Sequence, residues 1–151
     1  MTGPPMDTFF GLLAGNTLTR LVFFPAIAAI PLLLLVKASA KTAKIYVLIA
    51  SLIELAFGIF YLATHLGADG SSALVRDAPL TWIASYGIKY DLAMDGISMP
   101  LVLLGIFLVP IVILGSWKGI EKHWAAFGAA MLLLTTGVLG TLLAYDLFVF
   151  Y

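Results

Sequence analysis

Four apolar runs, separated by short connections that collect nearly all the charge, restrict this chain to very few folds. They extend from Leu21 to Val36, from Ile45 to about Leu66, from about Ile97 to Trp117 and from about Trp124 to Tyr145, and a fifth starts at Leu147 and reaches Tyr151. A helix crossing a hydrocarbon core about 30 Å thick needs about 20 residues. The first run supplies only about 24 Å at 1.5 Å per residue, so Thr17–Thr19 and a snorkelling Arg20 are expected to complete it. Pro25, Pro31 and Pro110 lie inside these runs, as membrane helices tolerate. Composition excludes the soluble alternative. The chain is 62% hydrophobic and 11% charged with a mean hydropathy of +1.10, against about 25% charged residues in an average soluble domain. The expected fold class is an all-α polytopic membrane protein. It has four complete transmembrane helices (18–36, 45–66, 97–117, 124–145), the start of a fifth (147–151), and a loop or β-hairpin between the second and third.

Other classes fall away on simple chemistry. A net charge of zero, with no basic or acidic tail, leaves nothing to suggest a nucleic-acid partner. With no cysteine, disulfide frameworks, thiolate metal sites and cysteine nucleophiles are excluded. No Gly-rich phosphate loop, GxSxG elbow or HExxH pair occurs. His65 and His123 stand at the ends of different spans on opposite sides and cannot share a metal. The opening MTGPPMDTFFGLLAGNTLTR lacks the basic start and the long apolar core of a signal peptide, and is expected to lie along the membrane surface.

Orientation follows the lysines. Lys37, Lys41 and Lys44 fill the first connection, and Lys118 and Lys122 the third; Arg76 and Lys89 in the second are set against Asp69, Asp77 and Asp91. The lysine connections are expected to face the cytoplasm, with the N-terminus and residues 67–94 outside. Within that outer loop, Ile88, Tyr90, Leu92 and Met94 alternate with other residues at a period of two. With Leu80–Ile83 upstream and Ser85–Gly87 as the turn, a hairpin is expected.

A few residues stand out as candidates for chemistry. Glu54 lies in the middle of the second span, where an ionised carboxylate is costly and functional roles concentrate. It is a candidate for proton transfer, a protonated packing group, or the partner of a charge on another chain. The fourth span carries Ala125, Ala126, Gly128, Ala129, Ala130, Gly137 and Gly140, which allow close helix approach. Thr135, Thr136 and Thr141 either bridge helices or bond their own carbonyls. Lys118, Glu121 and Lys122 form a charged corner between Trp117 and Trp124, which are read as interface anchors. In YDLAMDGISMP (90–100), Asp95 or Ser98 is placed to accept from the free N–H groups of the third helix, near the positive end of its dipole. Gly96 permits the turn and Pro100 sits in the first helical turn. A proton-relay role for this stretch is the other reading.

Residues 86–151 resemble the antiporter-like membrane subunit M (chain 4) of the proton-pumping NADH–quinone oxidoreductase, respiratory complex I. The resemblance rests on YGI…L.MDGIS at 86–98, the apolar helix after it, SWK.IEK at 116–122 and GVLGTLLAYDLFVFY at 137–151. Residues 1–85 match only in layout. The resemblance implies a fold of two inverted helical repeats that form half-channels, and a subunit without a redox centre. NADH, FMN, iron–sulfur clusters and quinone would then belong to other subunits, and no cofactor or metal is expected in this chain. The implied setting is the bacterial inner (plasma) membrane. The implied partners are lipid and the other complex I membrane subunits, above all neighbouring antiporter-like ones. The family's proton-carrying glutamate lies just past an aromatic run, and so beyond Tyr151; the chain is read as an N-terminal fragment, inactive alone. Asp95, Gly96, Ser98, Trp117, Lys118, Glu121, Lys122 and Asp146 carry the family pattern, in which Glu54 has no counterpart. Related subunits of multi-subunit sodium/proton antiporters and membrane-bound hydrogenases share the DG-S motif, and a small structural four-span protein is the third alternative.

Overall fold

The computed structural model describes residues 16–34, 39–65, 74–77, 79–120 and 123–151. Among the described residues five helices follow in chain order: α1 (Thr17–Leu34), α2 (Ala40–His65), α3 (Ser98–Gly115), α4 (Trp124–Leu143) and the short α5 (Leu147–Phe150). The expected surface segment before residue 16, and Glu121 and Lys122, lie outside the described residues. Residues 40–64, 98–115 and 124–143 are each long and apolar enough to cross a membrane, and α1 is a shorter apolar helix beside them. This is the architecture of an all-α polytopic membrane protein.

α2 begins five residues before the expected Ile45, so Lys41 and Lys44 belong to its first turns rather than to a loop. Lysine is a good helix former, and its long stem lets the ammonium leave the apolar zone while the backbone stays helical. α3 ends at Gly115, and Trp117 falls in the following turn.

α1 packs most extensively along α4, while α2 touches α1, α3 and α4. α1 turns Leu18, Leu21, Val22, Ala29 and Leu32 inward at helical spacing, and Ile27, Ile30 and Leu33 stay exposed. α3 repeats the pattern, burying Met99, Val102, Ile106, Val109 and Ile113 and exposing Leu104, Phe107 and Leu108. Such apolar outer faces suit a lipid solvent. The buried side chains form two clusters. One surrounds Leu18, Tyr61, Ile106 and Leu139 towards residues 75–95; the other surrounds Leu32, Val47, Ile113 and Trp124 at the lysine end.

The hairpin expected between α2 and α3 is present. β2 (Leu80–Ile83) pairs antiparallel with β3 (Ile88–Tyr90), with an irregularity between Thr81 and Ile83. The turn passes through a short 3₁₀ segment and Gly87 at φ 68, a left-handed conformation that glycine adopts freely. A second pair joins β1 (Val75–Arg76) to β4 (Ala93–Met94).

Of the small residues in α4, Gly128 makes the closest approach. A Cβ there would stand 2.4 Å from Val47 Cγ2 and 3.6 Å from Leu32 Cδ1, where α1, α2 and α4 meet. Valine has little χ1 freedom with which to yield. Gly128→Ala is therefore expected to lower the stability of the solubilised protein by roughly 1 kcal/mol, the low end for overpacking by a single methyl. Gly137→Ala, which meets nothing within 4 Å, is the control, and thermal unfolding in detergent compares the two.

Candidate functional site

The interior of the bundle contains one acid among the described residues. α2 directs Val47, Ser51, Glu54, Gly58 and Tyr61 inward, at alternating steps of four and three that keep one face towards its neighbours. Glu54 is 1% exposed. Both carboxyl oxygens are buried and neither has a hydrogen-bond partner. The residue sits at the level where the two hydrophobic clusters meet: Val47 belongs to one and Tyr61 to the other. The Ser51 hydroxyl makes no bond to it and donates instead to Leu48 O of the same helix at 2.9 Å. Thr135 and Thr136 likewise donate to Met131 O and Leu132 O, and Thr141 to Val138 O. Of the two readings for these threonines, the local one holds. A buried carboxyl without a partner is costly to ionise.

The hairpin end is the second polar region. Asp77, 8% exposed, accepts from Leu18 N at 3.3 Å, Thr19 N at 2.8 Å and Thr19 Oγ1 at 2.9 Å. It thus caps α1 from 58 residues away in sequence, at the second and third N–H groups where a local cap would act. Asp77 N donates to Leu92 O at 3.1 Å, and Tyr90 O–H donates to Thr19 Oγ1 at 3.4 Å. Burial pushes the Tyr90 phenol above its ordinary range, and the nearby Asp77 carboxylate adds to this.

Beside it, Arg76 Nε donates to Asp91 Oδ1 at 2.7 Å, and Arg76 Nη2 closes the second arm of a bidentate pair. The guanidinium lies over the Tyr145 ring at 4.9 Å, and Tyr145 N donates to Asp91 O at 3.0 Å. Leu92 forms a β-bridge with Ala144, and Lys89 N donates to Asp146 Oδ2 at 3.3 Å. The loop before α3 is thereby fastened to the break between α4 and α5. The Arg76 guanidinium holds the Asp91 carboxyl below its ordinary range, against the opposing effect of burial. A depressed carboxyl contributes stability above its unfolded value near 3.9, and that contribution is lost as pH falls through the lower folded value. Thermal stability is expected to drop below about pH 4, and Arg76→Gln should flatten that part of the profile; equal slopes for both proteins would exclude the pair as the cause.

Among the family-pattern residues, Asp95 caps α3. Ile97 N and Ser98 N donate to its Oδ1 at 3.0 and 2.6 Å, and Ser98 Oγ accepts from Asp95 N at 2.8 Å, a reciprocal capping box. The Ser98 N–H and hydroxyl hold the Asp95 carboxyl below its ordinary range. Of the two cap candidates, Asp95 is thus the acceptor, with Ser98 bonding back; Gly96 lies in the turn and Pro100 is the third residue of α3. Asp146 stands at the start of α5, its carbonyl accepting from Val149 N and Phe150 N at 3.1 Å.

At the lysine end, Lys118 is exposed, but Lys44 does the structural work. Its Nζ donates to Trp117 O at 2.7 Å, just past the C-terminus of α3, and lies 5.8 and 5.1 Å from the Trp117 and Trp124 rings. The reading of Trp124 as an interface anchor needs correction. It is 1% exposed, donates to Ile120 O at 2.6 Å, and meets Phe127 edge-on and Trp117 at a tilt, because Trp117 and Ile120 pack over it.

No family model matches the chain. It is 32% identical over 134 residues to NAD(P)H-quinone oxidoreductase chain 4 from Picosynechococcus sp., covering 89% of this chain and 24% of the relative. It is 40% identical over 72 residues to NADH-quinone oxidoreductase subunit M from Buchnera aphidicola subsp. Schizaphis graminum, covering 48% and 14%. It is 34% identical over 91 residues to F(420)H(2) dehydrogenase subunit M from Methanosarcina mazei, covering 60% and 18%. The chain therefore spans a quarter or less of the length of these curated relatives. With its apolar helices, this similarity makes it an integral membrane protein.

Proposed function

We propose, from the premise that this chain is a homologue of the complex I subunit M (chain 4) proteins, that it forms part of the proton-translocating membrane subunit of a quinone-reducing oxidoreductase. The observation that carries this reading is the match over 89% of the chain to a quinone oxidoreductase chain 4. The role is to move protons while redox chemistry proceeds on other subunits, which hold NADH or another donor, FMN, iron–sulfur clusters and quinone. This chain's own residues supply packing, capping and an interior carboxyl rather than a redox site.

Its neighbours are lipid and other membrane subunits, including further antiporter-like ones. Its place is the bacterial inner (plasma) membrane, with the lysine connections cytoplasmic and the hairpin outside. The five lysines at residues 37–44 and 118–122 against Arg20, Arg76 and Lys89 at the other end support that orientation. Affinity purification of the tagged full-length protein from solubilised native membranes tests the assignment. Co-purification of redox subunits with quinone-reducing activity is expected. A complex that exchanges sodium for protons without redox activity would move the chain to the antiporter branch.

A further inference from the structure

We propose that Glu54 is a neutral, proton-binding carboxylic acid that exchanges its proton with the hairpin end of the bundle, past Gly58 and Tyr61. The biological use of such a group rests on the proton-translocating reading above; its chemistry does not.

Glu54 is 1% exposed, and neither oxygen has a hydrogen-bond partner among the described residues. Among the described residues, no element packed on Glu54 sets a cation beside it. The only charged residue of α1 is Arg20, exposed in its first turn, and α3 and α4 contain no titratable residue. On α2 itself, Lys41 and Lys44 lie at the far end, with Lys44 engaged on Trp117 O, and Tyr46 donates to Ala28 O. Without a counter-charge, a carboxyl at this depth is held in its neutral form.

The two directions along α2 from Glu54 differ. Towards the lysine end, Val47 closes on Gly128 of α4, leaving no room there for an added Cβ. Towards the hairpin end, α2 replaces a side chain by Gly58, facing Ile106 Cδ1. A small cavity of about 10 Å³ lies there, lined by apolar side chains together with Gly58 and Tyr61. Tyr61 stands two turns beyond Glu54 on the same face, about 10 Å along the axis, and within electrostatic reach of Asp77. Asp77 joins Thr19 and Tyr90. On the buried face of α2, Tyr61 thus leads from Glu54 towards the Asp77, Thr19 and Tyr90 cluster, whereas in the other direction the same face closes on Val47 and Gly128.

Infrared spectroscopy of the full-length protein in its complex, reconstituted in one orientation in sealed vesicles, tests this. A carboxylic C=O band sensitive to deuterium is expected at pH 7 and should be absent in Glu54→Gln. Raising the pH on the hairpin face alone should bleach the band. Gly58→Val, which sets a side chain against Ile106 across this face, should slow bleaching several-fold, and Tyr61→Phe, which keeps the packing, should slow it as well. A missing band at pH 7, a band unmoved by either jump, or bleaching from the lysine face only overturns the inference. A band behaving as expected, in a complex without quinone-linked proton movement, leaves the inference standing and overturns the functional reading.

Discussion

Asp77→Ala is expected to destabilise the solubilised protein by about 2–4 kcal/mol, more than any other single change at the hairpin end. The substitution removes the acceptor for Leu18 N, Thr19 N and Thr19 Oγ1 together. A lost local cap costs about 1 kcal/mol. Here the loss is larger because the bonds are charge-assisted and the stranded groups are buried, with Leu18 fully enclosed and Thr19 2% exposed. α1 and the loop should loosen together, so hydrogen exchange should rise in residues 17–22 and 88–93 at once. Asp77→Asn, which keeps an acceptor oxygen, should recover part of the stability. Exchange confined to the loop, with α1 unaffected, would show that the cap does not hold the helix.

Glu54→Leu has the opposite sign. Removing a buried carboxyl that lacks a partner should stabilise the protein by about 1–3 kcal/mol, the cost of leaving such a group unsatisfied. Leucine is of similar length and adds apolar surface between the two hydrophobic clusters. A stabilised variant would mean that the glutamate is retained for something other than packing. A destabilised one would mean that it is paired in the assembled protein, the third of the readings open from sequence. Thermal unfolding measured on the subunit alone and again within its complex separates these outcomes.

The helices and the hairpin were legible because each has a local signature. Apolar runs of membrane length, a period of two at Ile88–Met94 and the turn at Ser85–Gly87 need no knowledge of distant contacts. Asp95 was legible for the same reason, since a cap acts within its own turn. What sequence could not supply were pairings that depend on register. Arg76 and Asp91 are 15 residues apart and meet only because β1 pairs with β4 and β2 with β3. Asp77 caps a helix 58 residues away, and its single signal was an acid in a loop facing a helix start with no acid of its own. Lys44 was grouped with loop lysines because charge was read as a helix boundary, although a lysine stem lets a helix begin among charges. Trp124 was misplaced because tryptophan beside a membrane helix suggests an interface, and only the fold shows Trp117 and Ile120 packing over it. Glu54 fell between these cases. Its depth was visible in the sequence, but its isolation follows from what α1, α3 and α4 place around it.

Redox-driven proton movement by the complex proposed to contain this chain is tested most directly by acidification of inverted native vesicles, followed with a pH-sensitive dye. Electron donor plus quinone should drive an uncoupler-sensitive acidification. Disrupting the gene should abolish that acidification, and the intact protein should restore it without sodium. Acidification that survives the disruption, or that runs only on a sodium gradient with no electron transfer, would contradict it.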